Sequence, residues 1–202
     1  MIGYPTKKKN RLALAEQKSS KAHRGMSLED DVNKTNSYYL ETDRAVIFKK
    51  PTPIQVVEVS YPARNKAKIT EAYYRQASTT DYNGVYRGLP IDFEAKETVN
   101  KTSFALSKLH KHQLDHLINV HRHGALAFLL IRFSSLDETY MVMVESLKRF
   151  LNNHDRQSIP YDWIKEEGTL IPYSLTPPVD YLTALDRIIR KGVNCNEEKC
   201  CP

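Results

Sequence analysis

The chain is poor in cysteine, lacks any long apolar run, and is nearly devoid of acids over its first 25 residues. Its three cysteines, Cys195, Cys200 and Cys201, all fall in the last eight of 202 residues. An odd number in a polar tail argues against a disulfide framework and fits a reduced, cytoplasmic setting, and zinc would need ligands from elsewhere. The longest apolar run, 125–131, is far short of a membrane span. The opening MIGYPTKKKNR has basic residues with no apolar segment after them, so no secretory leader and no membrane partner are expected. No internal repeat is visible.

What is present is positive charge. The formal net charge is +6, which favours acidic partners, nucleic acid ahead of anionic membrane. Residues 1–25 hold Lys7, Lys8, Lys9, Arg11, Lys18, Lys21 and Arg24 against Glu16 alone. That segment reads as a mobile basic arm contacting phosphates. The remainder, 41% hydrophobic and 27% charged overall, suits one globular domain over 26–190 and a polar tail over 191–202.

Ser27-Leu28-Glu29-Asp30 is a capping pattern that predicts a helix to about residue 40, with Leu28, Val32 and Tyr39 as its apolar stripe. Glu29 either points toward a central site or favours the helix dipole as a first-turn acid. Strands are predicted at 45–48 and 54–59. Between Lys49 and Arg75, six basic residues and Tyr61, Tyr73 and Tyr74 are interleaved, an insertion suited to phosphates and unpaired bases. A helix is predicted over 107–123, with Gln113 in the middle of its apolar stripe. A buried amide there is either tied into a hydrogen-bond network or faces a polar site, and the site is the preferred reading. His112 and His116 fall off that stripe and read as surface residues. Strands at 125–133 and 139–144, a helix over 145–153 and a last helix over 179–190 complete a mixed sheet flanked by helices, an α/β fold.

The chain is organised around 78–98. Asp81 sits on one short segment. A second segment alternates Ile91, Phe93 and Ala95 with Asp92, Glu94 and Lys96, and Gly84 and Gly88 permit the turn between them. Two carboxylates can hold a magnesium ion, with the Ala95 carbonyl as a further oxygen. Lys96 can orient water or neutralise charge in a phosphoryl transition state. By itself the triplet also fits a surface hairpin with an exposed Glu–Lys pair.

The runs S-T-T-D-Y-N-G, I-D-F-E-A-K-E-T, R-G-M-S-L-E-D-D and K-K-P-T-P-I-Q resemble the RecU family of bacterial Holliday-junction resolvases with a PD-(D/E)XK nuclease core, over about 24–190 and in the family's order along the chain. The resemblance implies a homodimer that nicks opposed strands of four-way DNA junctions, with recombinase and branch-migration proteins as candidate partners. It places Thr79, Asp81, Glu94 and Gln113 at a magnesium site, with manganese as a substitute, and Lys96 as transition-state stabiliser. It makes about 51–76 a stalk, with Arg64, Lys66, Lys68 and Arg24 as DNA contacts; Glu29 and Asp92 are supporting residues. Thr80 stands where the superfamily motif has proline. The alternatives are a duplex restriction or repair endonuclease on the same core, and a non-catalytic junction-binding protein.

Overall fold

The computed structural model describes residues 27–63, 66–75 and 79–197. The expected basic arm with Arg24, Arg64 of the insertion, and Cys200 and Cys201 lie outside the described residues.

Helix α1 (Leu28–Glu41) starts where Ser27 Oγ accepts the Asp30 N–H at 3.2 Å, and acids fill its first turn. Leu28, Val32 and Tyr39 are buried as the periodicity requires. Strand β1 (Val46–Lys49) leads into a hairpin of β2 (Ile54–Ser60) and β3 (Lys68–Tyr74), a separate two-stranded sheet exposed along nearly its whole length. The Arg75 N–H donates to the Pro53 carbonyl at 3.0 Å and closes its base. The chain returns through β4 (Tyr82–Tyr86) and β5 (Leu89–Thr98). A short β6 (Ser103–Ala105) and a 3-10 turn follow, then α2 (Lys111–Arg122), which crosses over to β7 (Leu126–Phe133). After β8 (Glu138–Met143) come α3 (Val144–Asn153), β9 (Ser158–Pro160), α4 (Tyr161–Glu167), β10 (Thr169–Ile171) and α5 (Tyr181–Glu197).

The central sheet has the order β1-β4-β5-β7-β8-β10 and is antiparallel except where β5 runs parallel to β7. Both faces are covered. Phe93 stacks between Tyr82 and Phe128, at 4.8 Å from each, in the core shared with α1 and α5. Leu129, Ile131, Phe133 and Val142 pack on the other side with residues of α3 and α4. That double cover is why β7 reads L-A-F-L-L-I-R-F rather than alternating. Arg132, the polar exception, pairs with Asp31 of α1 at 2.8 Å, both groups buried.

Several sequence expectations shift. The predicted helix over 107–123 breaks at Leu109 and His110, because His110 caps a new start at Lys111. The last helix runs past 190 to Glu197. Strands β6, β9 and β10, each three residues long, and helix α4 escaped the pattern, being too short to show a period. Gly84 is not a turn residue. The turn is Arg87 and Gly88, with φ of 50° and 76°, which suits a two-residue hairpin. Gly84 lies mid-strand, and a Cβ there would stand 2.1 Å from the Val46 carbonyl oxygen and 2.6 Å from Ile47 Cα. Gly84→Ala should therefore push β1 off β4 and cost at least about 2 kcal/mol. The check is a lowered urea midpoint at unchanged m; an unshifted midpoint would contradict the close approach.

Candidate active site

Pairing of Tyr82 with Phe93 in the β4–β5 ladder sets Asp81, just before β4, across from Glu94. The Asp81 N–H donates to Glu94 Oε2 at 3.0 Å. Lys96, two residues along β5 and so on the same face, brings Nζ to 2.5 Å from Glu94 Oε1. The structure thus brings together the three residues expected to carry the chemistry. The alternative of an exposed surface hairpin is excluded, since Glu94 is 0% exposed.

Burial pushes the Glu94 carboxyl up to about 7, and the adjacent Asp81 carboxyl adds to this, while Lys96 pulls the other way. One lysine only partly offsets two carboxylates in a dry pocket. Glu94 Oε1 makes an ion pair with Lys96 but no hydrogen bond of normal geometry. A buried, under-satisfied, hard oxygen beside a second carboxylate fits a divalent cation. Among the described residues no group of three or more His, Cys, Asp or Glu gathers, so neutral oxygens would have to complete such a site.

Thr79 is half-buried and lies with Asp81 in a cleft of about 580 Å³, lined also by Glu29, Lys49, Lys50, Arg75 and Thr80. Glu29 sits on the rim of this cleft in an ion pair with Lys49, and it is also a first-turn acid of α1. Gln113 is buried, but its Oε1 accepts the His110 N–H at 3.1 Å. The amide thus takes part in the hydrogen-bond network of the α2 cap, and its oxygen, with a second lone pair, is not thereby withdrawn from the site. Lys66 and Lys68 are exposed on the β2–β3 hairpin, away from the carboxylates in sequence and in sheet.

Around Asp92 the structure gathers three residues that carried no site reading in the sequence, His116, Lys50 and Thr80. Asp92, expected only as support, is buried and accepts from Lys50 Nζ at 3.0 Å and from the Thr80 hydroxyl. His116 Nε2 lies 3.2 Å from Asp92 Oδ2, so His116 is not a surface residue. On a helix His116 stands about 100° from Leu117, on the same side as Gln113, where the face meets the inner strand β5. Lys50 and Thr80 gave no sequence signal beyond their places in K-K-P and T-T-D.

The Glu94 environment has a measurable consequence. A carboxyl raised from 4.5 to about 7 leaves folding unpenalised below the lower value. It withdraws stability as pH rises between the two, because the folded state must then hold a buried charge. In the metal-free protein, Glu94→Gln should gain about 2–3 kcal/mol on wild type between pH 4 and pH 8. Urea titrations in EDTA at both pH values test this, and a pH-independent difference would refute it.

A family model described as RecU, Recombination protein U, matches residues 23–187. The Holliday junction resolvase RecU of Oceanobacillus iheyensis is 54% identical over 170 residues, spanning 83% of this chain and 87% of that protein. The protein of the same name from Leuconostoc citreum is 50% identical over 197 residues, spanning 92% and 96%. A solved structure of Archaeoglobus fulgidus Hjc, a Holliday junction resolvase, aligns at a TM-score of 0.38 and 11% identity over 65% of this chain and 88% of that one. With most of its length matched by the model and about half its residues shared with these relatives, the chain belongs to the RecU family.

Proposed function

We propose that this protein is a Holliday junction resolvase, a magnesium-dependent endonuclease that acts in the cytoplasm as a homodimer and nicks opposed strands of a four-way DNA junction. The observation that carries the reading is the Asp81–Glu94–Lys96 constellation beside a cationic cleft at the foot of an exposed basic hairpin. The names of the relatives at 50–54% identity point the same way.

Asp81 and Glu94 would hold the ion, with Thr79 beside them, and Gln113 could add the second lone pair of its amide oxygen while still accepting from His110. When bound, a divalent ion supplies charge stabilisation to the phosphodiester and makes water a stronger nucleophile near neutral pH. The protein's own groups do the rest. Lys96 keeps an ammonium at the carboxylate pair, placed to offset the charge that builds on the phosphoryl oxygens. Lys49, Lys50 and Arg75 line the cleft with Asp81 and favour entry of a phosphate strand. The hairpin, with Lys66, Lys68 and the exposed Tyr61, Tyr73 and Tyr74, suits the open centre of a junction, where phosphates of four strands converge and the last base pair of each arm has a face free to stack on a ring. Arg64 and Arg24 are further proposed contacts.

Support for a dimer comes from the sheet edge. Strand β1 is the outermost strand, and Val46 and Phe48 are about half exposed on it, with Val85 exposed across the pair from Val46. An open apolar edge of this kind invites a second chain, and twofold symmetry would give a pair of sites for a pair of strands. Among the described residues no helix is long and apolar enough to cross a membrane.

Labelled four-way junction and linear duplex, each with and without magnesium, test the reading. Paired nicks should appear on the junction alone, and Asp81→Asn should slow them by on the order of 100-fold or more. Equal cutting of duplex, or full activity of the variant, would refute it. Replacing Lys66 and Lys68 together by Ala should weaken junction binding and lower the salt slope by about 2 for each subunit engaged, about 4 for the dimer, without changing the cleavage rate of bound junction. Gel shifts across a salt series read this out, and an unchanged slope would remove these lysines from the interface.

A further inference from the structure

We propose that Asp92 is a positioning residue for junction cleavage, acting through Thr80 to fix the place of the Asp81 carboxylate. The proposal rests on the resolvase reading above and adds a role for a buried acid that the chemistry itself leaves unused.

Asp92 lies on the Glu94 side of β5 and is 7% exposed. Its Oδ1 accepts the Thr80 hydroxyl. Its Oδ2 accepts Lys50 Nζ at 3.0 Å and faces His116 Nε2 at 3.2 Å. Both of its oxygens are engaged by protein groups, which gives Asp92 the place of a tie between segments. It ties together the segment after β1, the segment before β4 and helix α2.

The segment before β4 is the part that needs fixing. Thr79, Thr80 and Asp81 form neither helix nor strand. Asp81 is held through its backbone: its N–H donates to Glu94, and its carbonyl accepts the Lys50 N–H at 2.7 Å. Thr80, 2% exposed, supplies the side-chain anchor next to it. Lys50 serves twice, since its ammonium also lies 3.0 Å from Thr80 Oγ1. Remove the Thr80–Asp92 bond and the residue beside Asp81 loses the contact that pins its side of the peptide. A displacement of about 1 Å at a reacting group costs on the order of 100-fold in rate. A network that only neutralised a buried charge would instead register in stability and binding.

Thr80→Val removes the hydroxyl at nearly constant shape, and Thr80→Ser keeps it. Both, with Asp81→Asn as control, are made in the full chain. Each is assayed for single-turnover junction cleavage at saturating protein, for junction affinity in EDTA, and for melting temperature. Thr80→Val should cut about 100-fold slower with affinity within about twofold of wild type, and Thr80→Ser should recover most of the rate. Thr80→Val, which leaves Asp92 Oδ1 without its donor, should also melt a few degrees below Thr80→Ser. If Thr80→Val cuts as fast as wild type, or loses affinity in step with rate, positioning by Asp92 is overturned. If wild type fails to cut junctions, or Asp81→Asn still cuts, the resolvase reading fails and this role falls with it.

Discussion

Taking the Glu94 carboxylate entirely out of water, beside a second acid, is the constraint around which the molecule is arranged. In a dry environment a lone carboxyl gives up its charge, and the rise of Glu94 to about 7 is that tendency made visible. Lys96 and the Asp81 N–H oppose it with one ion pair and one hydrogen bond. The balance leaves a group poised between its two protonation states near neutral pH, and so responsive to any cation that approaches. A site built on water-exposed acids would bind an ion without this leverage. The burial itself comes from the parallel join of β5 to β7, which brings Leu129 beside Glu94 and sets α2 over that face.

Strand β5 is accordingly the hub on both of its faces. On one, Ile91 and Phe93 pack with α1 and α5; on the other stand Asp92, Glu94 and Lys96. At its far end Glu97 accepts the Leu28 N–H at 3.1 Å, so a strand side chain satisfies one of the orphan donors at the start of α1. The buried Asp31–Arg132 pair fastens the same helix turn to the neighbouring strand. Such a pair adds little net stability over apolar residues of equal volume, but it accepts only one register of helix on sheet. Since Glu29 and its partner Lys49 lie on the cleft rim, holding that register also holds the entrance to the site.

Alternation along I-D-F-E-A-K was enough to put Glu94 and Lys96 on one side and to oppose them to Asp81, because a strand has a period of two and few competing readings. The apolar stripe of α1 and the double-covered β7 were legible for similar reasons. Less local facts were not. Gly84 looks like a turn residue in N-G-V, and only the approach of β1 shows that it is the missing Cβ that matters. Gln113 looks like a residue turned to a site, and the spacing gives no sign that it is also the third residue of a helix beginning at Lys111, where its oxygen caps. Thr80, where the superfamily pattern has proline, gave no hint of its bond to Asp92, which spans the hairpin. In each case the missing information was the position of another strand or helix, which no spacing along the chain encodes.

The hairpin of β2 and β3 stands apart from this arrangement in energetic terms. Its strands form a sheet of two, exposed on both faces and irregular at Glu58. An isolated two-stranded sheet is marginally stable in water, so its order rests on its own cross-strand pairs and on closure at Arg75 and Pro53. It carries little of the fold's stability, and the fold carries little of its shape. Substitutions on it are therefore free to alter what is recognised without disturbing Glu94, while the reverse does not hold. The cleft lined by both the hairpin base and Asp81 is where the two meet, and Lys50, whose backbone holds Asp81 and whose ammonium holds Asp92, is the residue common to both.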